Sequence, residues 1–237
     1  MYKNQTICVI IPAYNEELSV GLVVKELQGL GFVDRVLVVD NNSLDRTAEN
    51  AQKEGAVVIR EEKPGYGHAV KRGLDAAGED LLILTEADLT FSVRDIERLL
   101  SRIDEADLVV GSRTNPRMIG PGANMGLLLR WGNVAMGKLL QILYGACGFT
   151  DVGCTLRLMR REKYKRIEPY LTSGGTALSP EIMVEAAKAG MRVVEIPVFY
   201  GGRKTGESKN TPGMARALRN GLGMMGLIIR KRFEGRL

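Results

Sequence analysis

The chain has 237 residues, 45% of them hydrophobic and 26% charged, with a formal net charge of +5. That is ample material for a core, so disorder is not the default reading, and the length suits one large α/β domain or two small ones. Three cysteines, Cys8, Cys147 and Cys154, fit neither a zinc spacing nor a disulfide framework, which points to a reducing compartment.

Ile7–Ile11 is an apolar run of strand length that breaks at Pro12. Glu17–Gly29 has helical spacing, with Leu22, Val23, Leu27 and Leu30 on one stripe. Strands are predicted at Val36–Val39, Ala56–Ile59, Leu81–Leu84 and Leu108–Val110. Helices are predicted at Leu44–Lys53, at Gly67–Ala77, and from a Ser92 cap to Arg102. In the second half, Asn124–Tyr144 reads as a long helix and Cys154–Met159 as a strand. Ser179-Pro180-Glu181 reads as a helix start with Ser179 as the cap, the helix ending near Gly190. Arg192–Pro197 is a further strand, and Pro212 to Phe233 a helix. Short apolar strands alternating with helices predict an α/β fold with a mostly parallel sheet flanked by helices. With no linker or repeat, the chain is expected to be a single domain of two functional halves, residues 1–115 and 116–237.

The charge is unevenly placed. No acidic residue occurs from Leu108 to Thr150, where Arg113, Arg117, Arg130 and Lys138 lie; from Ser208 onward seven Lys or Arg face only Glu234. One side is therefore expected to meet something anionic: phosphate, a membrane surface or nucleic acid. Aromatic residues are 5% and no recognition motif is present, so nucleic acid is not expected as a partner. The N-terminus lacks a signal-peptide layout. No uninterrupted apolar stretch of about 18 residues exists, so no spanning helix is expected.

Four polar clusters follow predicted strands: Pro12 to Glu17, Asp40 to Ser43 with Asp45 and Thr47, Glu86-Ala87-Asp88, and Gly111-Ser112-Arg113. In an open parallel sheet they would share one edge, where ligands bind. Asp40 to Asp45 also reads as a turn and helix cap, and Glu86 and Asp88 as solvated loop acids. Two carboxylates one residue apart beyond a strand suit Mg²⁺ or Mn²⁺, which take oxygen ligands and share substrate phosphates.

The segments IIPAYNEE, VVDNNSLDRT, GYGHAVKRG, LLILTEADLTF, VGSR and IPVFYGGRKTGESK resemble the family 2 glycosyltransferases of GT-A fold. Within that family the chain looks most like the dolichyl-phosphate and polyprenyl-phosphate mannosyl and glucosyl synthases, over nearly its whole length. The resemblance implies inverting transfer of a hexose from GDP-mannose or UDP-glucose to a lipid phosphate, with Mg²⁺ or Mn²⁺. It implies that Pro12, Tyr14, Glu16, Asp40 and Asn42 bind the nucleotide-sugar together with Glu86, Ala87 and Asp88. Glu86 and Asp88 would hold the metal; Glu86 stands where the family usually has Asp and reaches one methylene further. Thr90 matches a polar neighbour of the ligands. Arg113, Arg130, Arg203, Ser208 and Lys209 would bind the acceptor phosphate, and Asp88, Arg113, Arg203 and Lys209 would carry the chemistry.

An acceptor phosphate monoester has its second pKa near 6 and arrives ionised. Cations that gather two anionic substrates then matter more than a strong base. His68, the single histidine, is expected to pack or meet solvent, and Glu181 to serve its helix start. A lipid acceptor would place the protein in the cytoplasm and peripherally on the membrane, directly or through an anchoring partner protein. Asn124–Tyr144 is expected to touch the membrane; the C-terminal helix reads equally as interfacial or packed on the fold. Two alternatives remain: the same fold with a soluble or saccharide acceptor, and a nucleotide-sugar-binding protein that has lost catalysis, with Glu86 as its sign.

Overall fold

In the computed structural model of the chain, residues 1–145, 148–203 and 214–235 are described. The elements run β1 (Ile7–Ala13), α1 (Val20–Gln28), β2 (Arg35–Asp40), α2 (Thr47–Lys53), β3 (Val57–Arg60), α3 (Tyr66–Ala76), β4 (Leu81–Leu84), α4 (Arg94–Leu100), β5 (Leu108–Ser112), α5 (Leu127–Tyr144), β6 (Arg157–Arg160), α6 (Arg161–Ile167), α7 (Leu178–Lys188), β7 (Val193–Pro197) and α8 (Met214–Phe233).

One seven-stranded sheet takes strands from both halves, in the order β3-β2-β1-β4-β6-β5-β7. β1 pairs in parallel with β2 and β4, and β5 with β7, while β6 is antiparallel to both β4 and β5. β1, β2, β4, β5 and β7 therefore share a direction and end on one rim. β6 starts on that rim. Its neighbours bury their side chains on both faces, which is why the strands read as unbroken apolar runs.

β1 runs through Pro12 instead of breaking there. Its pairing with β4 ends at Ile10↔Leu84, whereas Pro12 still pairs in register with Val39 of β2. Beyond β4 the missing proline N–H leaves no partner unsatisfied. The start of α7 also differs from expectation: the helix begins at Leu178, so Ser179 is inside it and caps nothing. α6 was missed because it follows β6 with no intervening turn residue.

Two glycines set close packing. A Cβ on Gly73 of α3 would lie 2.4 Å from Ile10 Cγ2, and one on Gly137 of α5 only 2.0 Å from the Phe149 carbonyl oxygen. α8 packs on α5 and α7, burying Leu227, Ile228 and Lys231. The packed reading of the C-terminal helix therefore holds, although its partners are helices. Lys231 is almost wholly buried and bridges Glu181 (2.9 Å) and Glu185 (3.2 Å). Glu181 also accepts hydrogen bonds from the Thr172 and Ser173 amides, so it is a structural anchor. α5 leaves Leu127, Leu128, Trp131 and Ile142 exposed.

Candidate active site

The rim gathers the four polar clusters. The first two interlock: the Asn15 amide donates to Ser43 Oγ, the Glu16 amide to Thr47 Oγ1, and the Glu17 amide to Asp45 Oδ2. Asp45 also accepts from the Thr47 amide at the start of α2. Asp45 and Thr47 are thus turn and cap residues that fix the end of β1. Asn15 and Asn42 both take left-handed backbone, with φ of 51° and 63°, a conformation asparagine tolerates well. Asp40 is buried and accepts from the Ser43 amide. Asn42 donates to the Glu62 carbonyl. Pro12, one residue before the end of β1, is partly covered, and Tyr14 is exposed at the lip.

Beyond β4, Glu86 and Asp88 turn toward one another. Thr90 Oγ1 lies 2.6 Å from Asp88 Oδ1 and 3.0 Å from Glu86 Oε2. Thr155, just before β6, donates to Glu86 Oε1 at 2.9 Å. Between them Leu89 holds a φ of 61°, a strained conformation for leucine that the surrounding bonds enforce. Ala87 is buried beneath the turn. Burial, and next the charge of Asp88, push the Glu86 carboxyl up to about 7. The two acids are thus crowded and not freely solvated.

Arg203 follows β7 and reaches back across the rim. Its Nη1 donates to both Glu16 oxygens, at 2.9 and 3.1 Å, and its Nη2 lies 3.0 Å from Asp88 Oδ2.

Arg113, at the end of β5, forms a bidentate pair with Asp151: Nε–Oδ2 is 2.8 Å and Nη2–Oδ1 is 3.0 Å. Burial works against its charge, but the Asp151 carboxylate outweighs it and holds the guanidinium well above its usual range. Its other face stacks on Tyr200, 5.2 Å from the ring centre. The Tyr200 hydroxyl is pushed up to about 12, first by burial and then by Glu86. Glu195 of β7 accepts from the Thr150 and Asp151 amides. Arg157 supports the same connection, donating to the Val152, Cys154 and Ser179 carbonyls.

Arg130 lies on the α5 face that also carries Asn133 and Gly137, three and seven residues on. That face packs on the loop before β6: Gly137 meets Phe149, and Asn133 approaches Gly153 beside Arg113. Arg130 Nε is buried without a hydrogen-bond partner among the described residues. Ser208 and Lys209 lie outside the described residues. His68 packs against Gly174. Sequence reasoning missed Asp151, Thr155, Tyr200 and Glu195. Asp151 had a signal: it is the residue that ends the acid-free stretch from Leu108 to Thr150.

Residues 8–168 match the family model described as glycosyl transferase family 2. An uncharacterized glycosyltransferase of Mycobacterium tuberculosis is 37% identical over 207 residues, covering 87% of this chain and 90% of its own. The chain belongs to glycosyl transferase family 2. A dolichyl-phosphate hexose transferase of Haloferax volcanii is 33% identical over 213 residues, 89% of each protein. Among solved structures, a glucosyl-3-phosphoglycerate synthase of M. tuberculosis with Mn²⁺, UDP-glucose and phosphoglyceric acid matches at a TM-score of 0.76 and 20% identity, over 98% of this chain and 82% of that one. The GT-A α/β fold is thereby shown.

This match corrects the expected partners and acceptor. Several structures that match over nearly the whole of this chain are of that synthase, solved with phosphoglyceric acid, a small phosphate compound and not a lipid. The expectations of a lipid-phosphate acceptor, and of the membrane surface and anchoring partner that followed from it, are withdrawn. The physical reason is that the expectation rested on arginines as phosphate-binding groups, and phosphate is common to lipid and soluble acceptors. Among the described residues no helix is long and apolar enough to cross a membrane.

Proposed function

We propose that this family 2 glycosyltransferase moves a hexose from a UDP-sugar to a small soluble acceptor bearing a phosphate, with Mg²⁺ or Mn²⁺ on the donor diphosphate. The observation that carries this reading is the meeting of Glu86, Asp88 and Arg203 on one side of the rim with the buried Arg113–Asp151 pair on the other.

The donor set fits a hard divalent ion. Glu86 and Asp88 crowd two carboxylates together, raising the Glu86 carboxyl, and a cation would relieve that repulsion. Among the described residues no cluster of three or more acidic, His or Cys groups forms a closed cage. That suits an ion completed by phosphate oxygens and water. When bound, the metal would neutralise charge on the departing diphosphate.

The chain's own residues supply the rest. The interlocked ends of β1 and β2, with Pro12, Tyr14, Glu16, Asp40 and Asn42, would hold the nucleoside. Arg113 and Arg130 would orient the acceptor phosphate. Asp151 and Tyr200 hold Arg113 between them, so its direction is set before substrate arrives. Lys209 and Ser208 would add to the phosphate contacts. As the bond from the anomeric carbon to the diphosphate breaks, the leaving group takes its electrons and an acceptor oxygen closes on that carbon; where that oxygen is a hydroxyl, its proton passes to the departing diphosphate or to water. The N-terminal half, residues 1–115, would serve the donor and residues 116–237 the acceptor.

Radiolabelled UDP-glucose with Mn²⁺ and a panel of soluble phosphorylated acceptors, phosphoglycerate among them, tests the reading. The expected result is UDP release with label in a water-soluble product. Label recovered only in the organic phase with added lipid phosphate, or no transfer to any soluble acceptor, would overturn it.

A further inference from the structure

Glu16, Glu86 and Asp88 cluster on one part of the rim, and among the described residues Arg203 is the cation that pairs with two of them. Arg113 is occupied elsewhere, by Asp151. Arg203 divides its fork: one amino group spans both Glu16 oxygens, the other meets Asp88. Both acids are buried, with side-chain exposures of 9% and 6%, and the guanidinium is 22% exposed. This is a well-covered bridge between the end of β1 and the metal-binding turn after β4.

The backbone leading to Arg203 is fixed. The Gly201 amide donates to the Thr90 carbonyl at 2.8 Å and the Gly202 amide to Pro121 at 3.1 Å. A Cβ on Gly202 would meet Gly122 backbone at 2.8 Å. Glu16 is fixed as well. Its amide donates to Thr47 and its carbonyl accepts from Ser19 and Val20 at the start of α1. The movable part is the guanidinium.

We propose that Arg203 is the resident cation of Asp88 before metal arrives, and that Glu16 is a positioning residue that retains the guanidinium when a divalent ion displaces it from Asp88. This rests on the metal-dependent reading above. A divalent ion on Asp88 places two more positive charges beside the guanidinium, and the two cations repel. The amino group on Asp88 is then released while the one on Glu16 stays. The released donors turn to the anion that comes with the metal, the diphosphate, which accepts charge-assisted hydrogen bonds. Metal alone must compete with Arg203; metal with diphosphate does not. The consequence is positive coupling between the two ligands, carried by one side chain.

Mn²⁺ binding to the full chain, followed by the loss of the free-ion paramagnetic resonance signal, tests this without turnover. It is measured with and without UDP and corrected for the UDP–Mn²⁺ complex in solution. In Arg203→Gln, Mn²⁺ alone is expected to bind about three- to tenfold tighter, because a competing ion pair is gone. The gain in Mn²⁺ affinity on adding UDP is expected to shrink by at least as much. Glu16→Gln, which keeps Arg203 but loosens it, is expected to reduce the same gain, and Arg203→Lys to fall between wild type and Arg203→Gln. Circular dichroism and thermal unfolding establish that each variant is folded. Unchanged or weaker Mn²⁺ binding in folded Arg203→Gln, or undiminished coupling in folded Glu16→Gln, overturns the inference while leaving metal dependence intact. Failure of the wild-type chain to bind Mn²⁺ even with UDP overturns both.

Discussion

Arg113 and Asp151 stand 38 residues apart in sequence and form a bidentate pair in which the Asp151 side chain has no solvent exposure. The aspartate also accepts from the Arg113 amide at 2.9 Å, so it fixes the backbone at the end of β5 as well as the guanidinium. Removing its charge leaves a covered arginine with weaker partners. Asp151→Asn is expected to lose about 3–5 kcal/mol of stability in urea unfolding, the usual cost of breaking a buried pair. In the folded fraction, KM for a phosphorylated acceptor should rise about tenfold or more, while donor affinity by calorimetry changes little.

The Glu86 carboxyl, raised from 4.5 to about 7, would tie metal binding at the proposed site to pH. Between those values the folded protein holds a proton that the unfolded chain has lost. Metal-free stability therefore falls as pH rises from about 4.5 to about 7, by the linkage between proton uptake and unfolding. A divalent ion favours the ionised acid and competes with that proton. Stabilisation by Mn²⁺ in a thermal-unfolding assay should be small near pH 6 and grow through about pH 7 to pH 8. An effect independent of pH would place the ion away from Glu86.

Gly137 permits α5 to touch the Phe149 carbonyl. Gly137→Ala must push the helix off the connection that carries Asp151. The expected cost is about 1–3 kcal/mol, as for other overpacked contacts, together with reduced transfer. Gly132→Ala on the same helix meets nothing within 4 Å and should be neutral or slightly stabilising by helix propensity. Paired chemical denaturation of the two variants measures the contrast.

Lys231 sits between Glu181 and Glu185, all three nearly inaccessible. Burial favours the neutral Glu181, yet hydrogen bonds from Lys231 and from the Thr172 and Ser173 amides outweigh it and lower its pKa. Lys231→Met would strand two buried carboxylates and is expected to cost about 3–5 kcal/mol. Increased amide exchange in α8 and around Thr172 should accompany the loss.

The β1–β2–β4 side of the rim was legible in sequence because these strands are buried on both faces and end in polar clusters. Local pattern therefore sufficed to place Asp40, Glu86 and Asp88. The β5–β6 side was not. Arg113 was visible, but its partner Asp151 reaches it only through α5 and the reversed strand β6, a tertiary relation without local periodicity. Ser179 misled for a similar reason: its Ser-Pro-Glu triplet has cap chemistry, but α7 starts at Leu178 and the acid turns inward to Lys231. Pro12 misled because only knowledge of where β4 stops explains why a central strand tolerates it.

Because β6 runs opposite to its neighbours, the chain enters this strand from the ligand rim instead of leaving there. The stretch that leads into β6 consequently arrives at the rim itself, where Asp151 holds Arg113 and Thr155 holds Glu86. Under the proposed function, exchange of that stretch between relatives would reset Arg113 and Glu86 together, so acceptor choice and metal dependence are expected to change in step.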